Sequence, residues 1–425
     1  MSSLRPPLLK PDVTLSLALS PCPSPQPQEA LKPEERGIHL IQLLLACAKH
    51  ASSSNLHRAD ECLQQISKLA SVTGDSMQRL SARFASALAV RLVKRWPGLY
   101  KALNHNNQYW LKQEHDRACL LFSQSFPYLR FSYAIMAQTL FHLMTDERVI
   151  HVIDLGSGDP KFWIPLMRSL SSLAMGPPHV KVTCVNGNKH VLDKLGPRLV
   201  KEAEALDMPF QFNPINVSLR DLSVDMLKVR SGEALALISV LNLHALLAED
   251  DRVNAHFGIN NNKSNNVKDC KKLGQFLGMI RSIAPKLFFL VEQEADHNLN
   301  RLVDRFVEGL HYYSAIFDAI DATFESKSSE ERLILEEMFG REIENIVASE
   351  GLEREERHER YGRWMVRFGR AGFKPVQLWV DPKEHVKQIV EGYSNKEGYK
   401  ILKERASLMI CWYDRPLYAV SAWTC

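Results

Sequence analysis

The sequence predicts an α/β protein with a doubly wound, mostly parallel sheet, a C-terminal β-hairpin and an all-helical cap. Three observations carry this. Residues 149–160 read VIHVIDLGSGDP: a β-branched apolar run, a glycine turn, then a helical pattern through Phe162, Leu166, Met167 and Leu170. Strand, glycine turn and helix open a doubly wound sheet. Beyond that turn, apolar strand-like runs alternate with amphipathic helical stretches, as in parallel sheets covered on both faces. Near the end, the apolar runs 408–412 and 417–423 flank Tyr413-Asp414-Arg415-Pro416 and read as a hairpin.

Composition bounds the function. A chain of 425 residues, 45% hydrophobic and 24% charged, suits one large globular domain or two smaller ones. A net charge of +4 leaves no nucleic-acid footprint. Eight scattered cysteines without a CxxC pair argue against zinc and against a disulfide framework, and fit a reducing compartment. No leader pattern and no apolar run of bilayer length occurs, so a soluble intracellular protein is expected.

Taken in order, residues 1–35 are expected to be a disordered tail, because seven prolines from Pro6 to Pro27 punctuate a serine-containing stretch. Within it Leu15, Leu17 and Leu19 alternate, so an extended chain points all three one way. That pattern suits an extended peptide ligand, or is a chance alternation. Residues 36–110 read as a helical cap. Ile38, Ile41, Leu44, Leu45 and Ala48 recur at helical spacing, then Leu56, Ala59, Leu63, Ile66 and Ala70 at near-heptad spacing that would suit a helix partner. Met77, Leu80, Phe84, Leu88 and Leu92 form a third stripe.

Residues 111–425 read as the α/β core. Its later strands are expected near Val180–Val185, 210–214, 234–240 and 286–291, with a helix over 189–206. An asparagine-rich stretch, 260–266, reads as a surface loop. A helical insertion near 300–360 is expected to join the cap, carrying Leu302, Phe306, Leu310, Tyr313 and Phe317 on one stripe. The sign-alternating run 353–360 reads as a solvated, salt-bridged helix face.

The strand inventory is that of a methyltransferase-like sheet, and the cofactor requirements can be tested on it. Gly156 and Gly158 have the right spacing, but Asp159-Pro160 stands where a third glycine would allow close approach. The second strand ends Cys184-Val185-Asn186-Gly187-Asn188, with no carboxylate for ribose hydroxyls, although Asn186 can donate and accept. No GxSxG elbow, HExxH helix or P-loop occurs. His151, His244 and His297 lack cysteine or carboxylate partners at ligand spacing and read as structural. Glu292, Glu294 and Asp296 follow the fifth strand and read as hydrogen-bond acceptors for loops and helix N-termini. The expectation is therefore no catalytic, cofactor-binding or metal-ligating residue. The rival class is an S-adenosylmethionine-dependent small-molecule methyltransferase using the cleft above Gly156 and Gly158.

These stretches together resemble the GRAS family of plant regulators. The helical block from Ile38 resembles the family's first leucine region. Val149 and Ile150 lead into His151-Val152-Ile153-Asp154, which matches the VHIID motif. Residues 189–212 resemble the second leucine region. Pro285, Phe317, Arg341 and Glu342 fall where the PFYRE motif sits, and Trp364, Gly372, Trp412 and Ser421-Ala422-Trp423 match the SAW motif. Phrases such as 291–298 and 411–423 are similar to the scarecrow-like branch.

The resemblance implies a nuclear transcriptional co-regulator in gibberellin-linked growth or root development. Implied partners are other GRAS proteins, including DELLA-type repressors, and indeterminate-domain zinc-finger proteins that supply the DNA contact. Leu15, Leu17 and Leu19 then resemble an LxLxL motif that recruits Topless-type corepressors. Leu44, Leu45, Leu63 and Ile66 are the candidate partner-binding residues of the cap, through which a homo- or heterodimer would form.

Overall fold

A layer of helices comes first in the chain. The structure is a computed structural model and describes residues 32–104, 111–249, 267–324, 329–380, 385–393 and 395–425. Leu15, Leu17, Leu19 and the stretch 260–266 lie outside the described residues. Helix α1 (Pro33–Ser52) is followed by α2 (Leu56–Leu69), α3 (Ser76–Val93), α4 (Pro97–Asn104), α5 (Leu111–Ser125) and α6 (Tyr128–Met144). The helical region begins at Pro33, inside the expected tail. Proline presets the first-turn φ, and Glu34 and Glu35 complement the positive end of the helix dipole. Asp75 caps α3 in a reciprocal box with Gln78, which fixes the break at Gly74.

The α/β part follows as β1 (Val149–Asp154), α7 (Pro160–Ser171), β2 (His179–Val185), α8 (Lys189–Ala205), β3 (Phe210–Ile215), α9 (Val224–Leu227) and β4 (Ala234–Val240). A 3₁₀ turn (Leu243–Leu247), α10 (Lys271–Ser282) and β5 (Leu287–Gln293) complete the parallel half. Then come α11 (Leu302–Thr323), α12 (Glu330–Ala348), α13 (Tyr361–Arg370), β6 (Lys374–Val376), α14 (His385–Glu391), β7 (Tyr399–Glu404), β8 (Ser407–Trp412) and β9 (Arg415–Thr424).

One sheet runs β3-β2-β1-β4-β5-β9-β8-β7, with β6 also on β9. β1 to β5 are parallel, and β9 enters antiparallel beside β5. Strand order reverses between β1 and β4, so their carboxyl ends flank the crevice where open α/β sheets place ligands. The expected hairpin is β8–β9, turning at Tyr413-Asp414. β6 and β7 escape the sequence patterns. β7 is an edge strand whose exposed Lys400, Lys403 and Glu404 give it a polar signature, as edges that must not aggregate often have.

Period-two alternation splits the core between the two faces. Ile150, Val152, Val180, Val182, Ala236, Ile238, Phe289 and Val291 face the cluster that also contains the helical layer. Ile153, Val185, Leu235, Leu237, Phe288, Leu290 and Trp423 face a second cluster under α10 and α13. In the helical layer α1, α2 and α3 pack together, α3 packs on α11 and α12, and α5 on α12. Arg79, buried on α3, fastens the layer: its guanidinium donates to Glu336 of α12 (2.7 Å), Asp321 of α11 (2.6 Å) and the Gly74 carbonyl (2.6 Å).

Candidate functional site

The turn at the switch point is braced from within. Asp154 ends β1, and its fully buried carboxylate accepts from the backbone N–H groups of Gly156 (3.1 Å), Ser157 (2.8 Å) and Gly158 (3.0 Å). It also accepts from the Ser157 hydroxyl (2.7 Å) and from Nε1 of Trp163 (3.3 Å). Burial pushes its carboxyl above the usual range, against the pull of these bonds. The N–H groups that would cradle a ligand are thus directed at the protein's own acid.

Both glycines have positive φ, +123° at Gly156 and +53° at Gly158. A Cβ on Gly156 would overlap Nδ2 of Asn242, and one on Gly158 would overlap Cγ1 of Val191. Asn242 donates to the Leu155 carbonyl (2.6 Å) and Asn186 to the Gly156 carbonyl (2.9 Å). The close approach that glycine permits is used by these side chains. Asp159 caps α7 through Lys161 N (2.9 Å) and accepts from Tyr133 (3.0 Å).

The remaining VHIID residues support the sheet. Ile150, Val152 and Ile153 are fully buried, while Val149 at the strand's start is half-buried. His151 is also fully buried, with Nδ1 2.7 Å from Glu233 and Nε2 2.8 Å from the Thr183 hydroxyl. Burial and the neighbouring Lys181 hold it down at about 4, so it serves as a neutral imidazole that donates to one partner and accepts from the other.

The PFYRE and SAW residues join the helical layer to the sheet. Phe317 is buried on α11, and Glu342 of α12 accepts from Gln293 of β5 (3.0 Å) and from Tyr313 (2.9 Å). Burial lifts the Glu342 carboxyl to about 7. Arg341 points the other way, toward Glu337 (3.4 Å) and Glu114 (3.8 Å). Pro285 is buried at the entry to β5. Trp412 of β8 donates to Asp318 of α11 (2.7 Å). Trp423 stacks on Phe368 with ring centroids 4.6 Å apart, and its Nε1 donates to Ser421 (3.0 Å). Ala422 pairs with Phe289, Trp364 is buried beside Phe368, and Gly372 lies against the Arg281 guanidinium.

Two expectations are corrected. Residues 353–360 are not a solvated helix face: beyond the 3₁₀ turn Gly351–Glu353 the segment is irregular, and Arg354, Arg357, His358 and Glu359 are buried. Their charges meet protein groups instead of water. Arg357 donates to the Arg354 and Gly351 carbonyls, Arg354 to that of His297, and Glu359 takes a bidentate pair from Arg367 (2.6 and 2.7 Å). His151 and His244 do have carboxylate partners, brought from distant parts of the chain, whereas His297 meets His358. His244 meets Glu292 (2.7 Å) and Glu356 (3.4 Å). Of the acids after β5, Glu294 accepts from Tyr361 N at the start of α13 (2.9 Å) and Asp296 pairs with Arg363 (3.1 Å).

In the cap, Leu44 and Ile66 have no exposure at all. They fill the space between helices of the same chain, so no partner reaches them there. Leu45 and Leu63 are half-buried against that core. Among the described residues no helix is long and apolar enough to cross a membrane.

Fold and site together define a methyltransferase-like α/β scaffold whose ligand turn is closed by its own side chains and which carries a fused helical layer. The GRAS domain family matches residues 40–424, and the chain belongs to that family of transcriptional regulators. It is 40% identical to Scarecrow-like protein 3 of Arabidopsis thaliana, over 93% of this chain and 90% of that one. It is 33% identical to the DELLA protein RGL1 of the same plant, over 92% of this chain and 71% of the relative. The solved structure of SCL7 from Oryza sativa matches with a TM-score of 0.76 at 26% identity, covering 90% of this chain and 99% of that one.

Proposed function

We propose that the protein is a nuclear transcriptional co-regulator that works by binding other proteins, in gibberellin-linked growth or root development. The observation that carries this is the closed glycine turn. Asp154 engages the N–H groups a methionine-type cofactor would need, and Asn242 and Val191 take up the space beside Gly156 and Gly158. A sheet so closed is a scaffold for surfaces. The DELLA relatives support other GRAS proteins, DELLA-type repressors among them, as partners in a homo- or heterodimer. With no concentrated positive charge, DNA is reached through indeterminate-domain zinc-finger proteins. Leu15, Leu17 and Leu19 recruit a Topless-type corepressor as an extended peptide.

Gel filtration and DNA retardation test this with the full chain. The expected result is co-elution with a DELLA-type protein, and a supershift of the zinc-finger protein's DNA complex without retardation by the chain alone. Direct retardation, or no co-elution with either protein, would overturn it. Replacing Leu15, Leu17 and Leu19 together by alanine should abolish corepressor capture while leaving the melting temperature unchanged.

A further inference from the structure

Beside the closed turn, at the carboxyl end of β4, lies a cluster with a different chemistry. His244 comes from the 3₁₀ turn after β4, and Glu356 and His358 from the irregular segment between α12 and α13. Nε2 of His244 lies 3.4 Å from a Glu356 carboxylate oxygen, and Nε2 of His358 lies 3.2 Å from the same oxygen. The three ligand atoms all fall within 4.8 Å of one another.

We propose that His244, Glu356 and His358 form a binding site for a single divalent transition-metal ion of the zinc class.

Three features support this. The first is spacing: nitrogen and oxygen ligands about 2.0–2.2 Å from a tetrahedral metal stand about 3.4 Å from each other, and the two nitrogen–oxygen separations here are 3.4 and 3.2 Å. The second is donor type. Two imidazoles and one carboxylate suit zinc and its neighbours, whereas magnesium and calcium prefer sets built from oxygen.

The third is the support behind the ligands. Each imidazole turns Nε2 toward the shared point while its Nδ1 is held from behind. For His244 the holder is Glu292 (2.7 Å), which also accepts from His244 N (3.1 Å). For His358 it is His297 (3.0 Å), itself stacked on Tyr313 at 5.5 Å with the rings nearly parallel. A carboxylate behind the ligand nitrogen, as Glu292 is for His244, is how metal-binding histidines are oriented. His244 and His358 are buried while the Glu356 side chain is 27% exposed, so the carboxylate is the side of the cluster nearest solvent. Bound there, the ion would pin the turn after β4 to the segment that leads into α13.

The test uses the full chain stripped with a chelator, zinc chloride titrated by calorimetry, and cobalt(II) followed by absorption. The expected result is about one equivalent of zinc per chain, a raised melting temperature by mass action, and cobalt d–d bands without a thiolate charge-transfer band. His358→Gln and Glu356→Gln should each weaken binding by about ten-fold or more. Cys119→Ser, which removes an exposed thiol 3.4 Å from His115, should leave binding unchanged. No zinc uptake, a thiolate band, or affinity unchanged in both glutamine variants would overturn the proposal and leave a proton-sharing hydrogen-bond cluster. Should the glutamine variants fail to fold, stoichiometry and the cobalt spectrum of the unaltered chain decide.

Discussion

Asp154 illustrates how one side chain can hold a whole turn. Removing its carboxylate takes the acceptor away from three backbone N–H groups, the Ser157 hydroxyl and a tryptophan N–H. Asp154→Ala should therefore lower stability by about 3–5 kcal/mol, read from urea unfolding. His151 gives a pH signature. Its proton is taken up near 6.5 in the unfolded chain but only near 4 in the folded one. Between those values the unfolded state binds more protons, so this residue's contribution is complete above about pH 6.5 and is lost as pH falls through about 4. It should amount to about 3 kcal/mol. Glu294 and Glu342, both lifted to about 7, act with the opposite sign. The check is accordingly the stability difference between the unaltered chain and His151→Gln, which should shift by about 3 kcal/mol in favour of the unaltered chain as pH rises from about 4 to about 6.5. Equal pH profiles would remove His151 from this role.

Among the elements, β9 has the densest set of obligations, since it pairs with β5, β6 and β8 and seats Trp423 against Phe368. Trp423→Ala should cost about 3–5 kcal/mol by leaving a cavity. Trp412→Phe should cost about 1–2 kcal/mol, mainly through the lost bond to Asp318, and equilibrium unfolding distinguishes the two. Elements of this kind were legible because burial on both faces demands unbroken apolar runs, as in 234–240 and 417–423. The charged edge strand β7 has no such run. Alternating charges in 353–360 imitate a solvated helix, and partners from elsewhere in the fold, His297, Asn298 and Arg367 among them, make their burial tolerable. Glycine spacing likewise disclosed the turn, whereas Asn242 and Val191, which occupy the space above it, arrive from other elements.

For the whole molecule, the helical layer and the sheet form one connected body through Arg79, Glu342 and Trp412. The family was readable in the chain, as the match over residues 40–424 bears out. Which cap leucines remain accessible was not, because helical spacing marks an apolar stripe without saying what covers it. The central claim is that this sheet has become a scaffold, and calorimetric titration of the full chain with S-adenosylmethionine, paired with thermal shift, tests it most directly. With Asp154, Asn242 and Val191 closing the turn, no heat of binding and no rise in melting temperature are expected at saturating cofactor. Saturable binding with a matching rise in melting temperature would contradict the scaffold account and restore a methyltransferase.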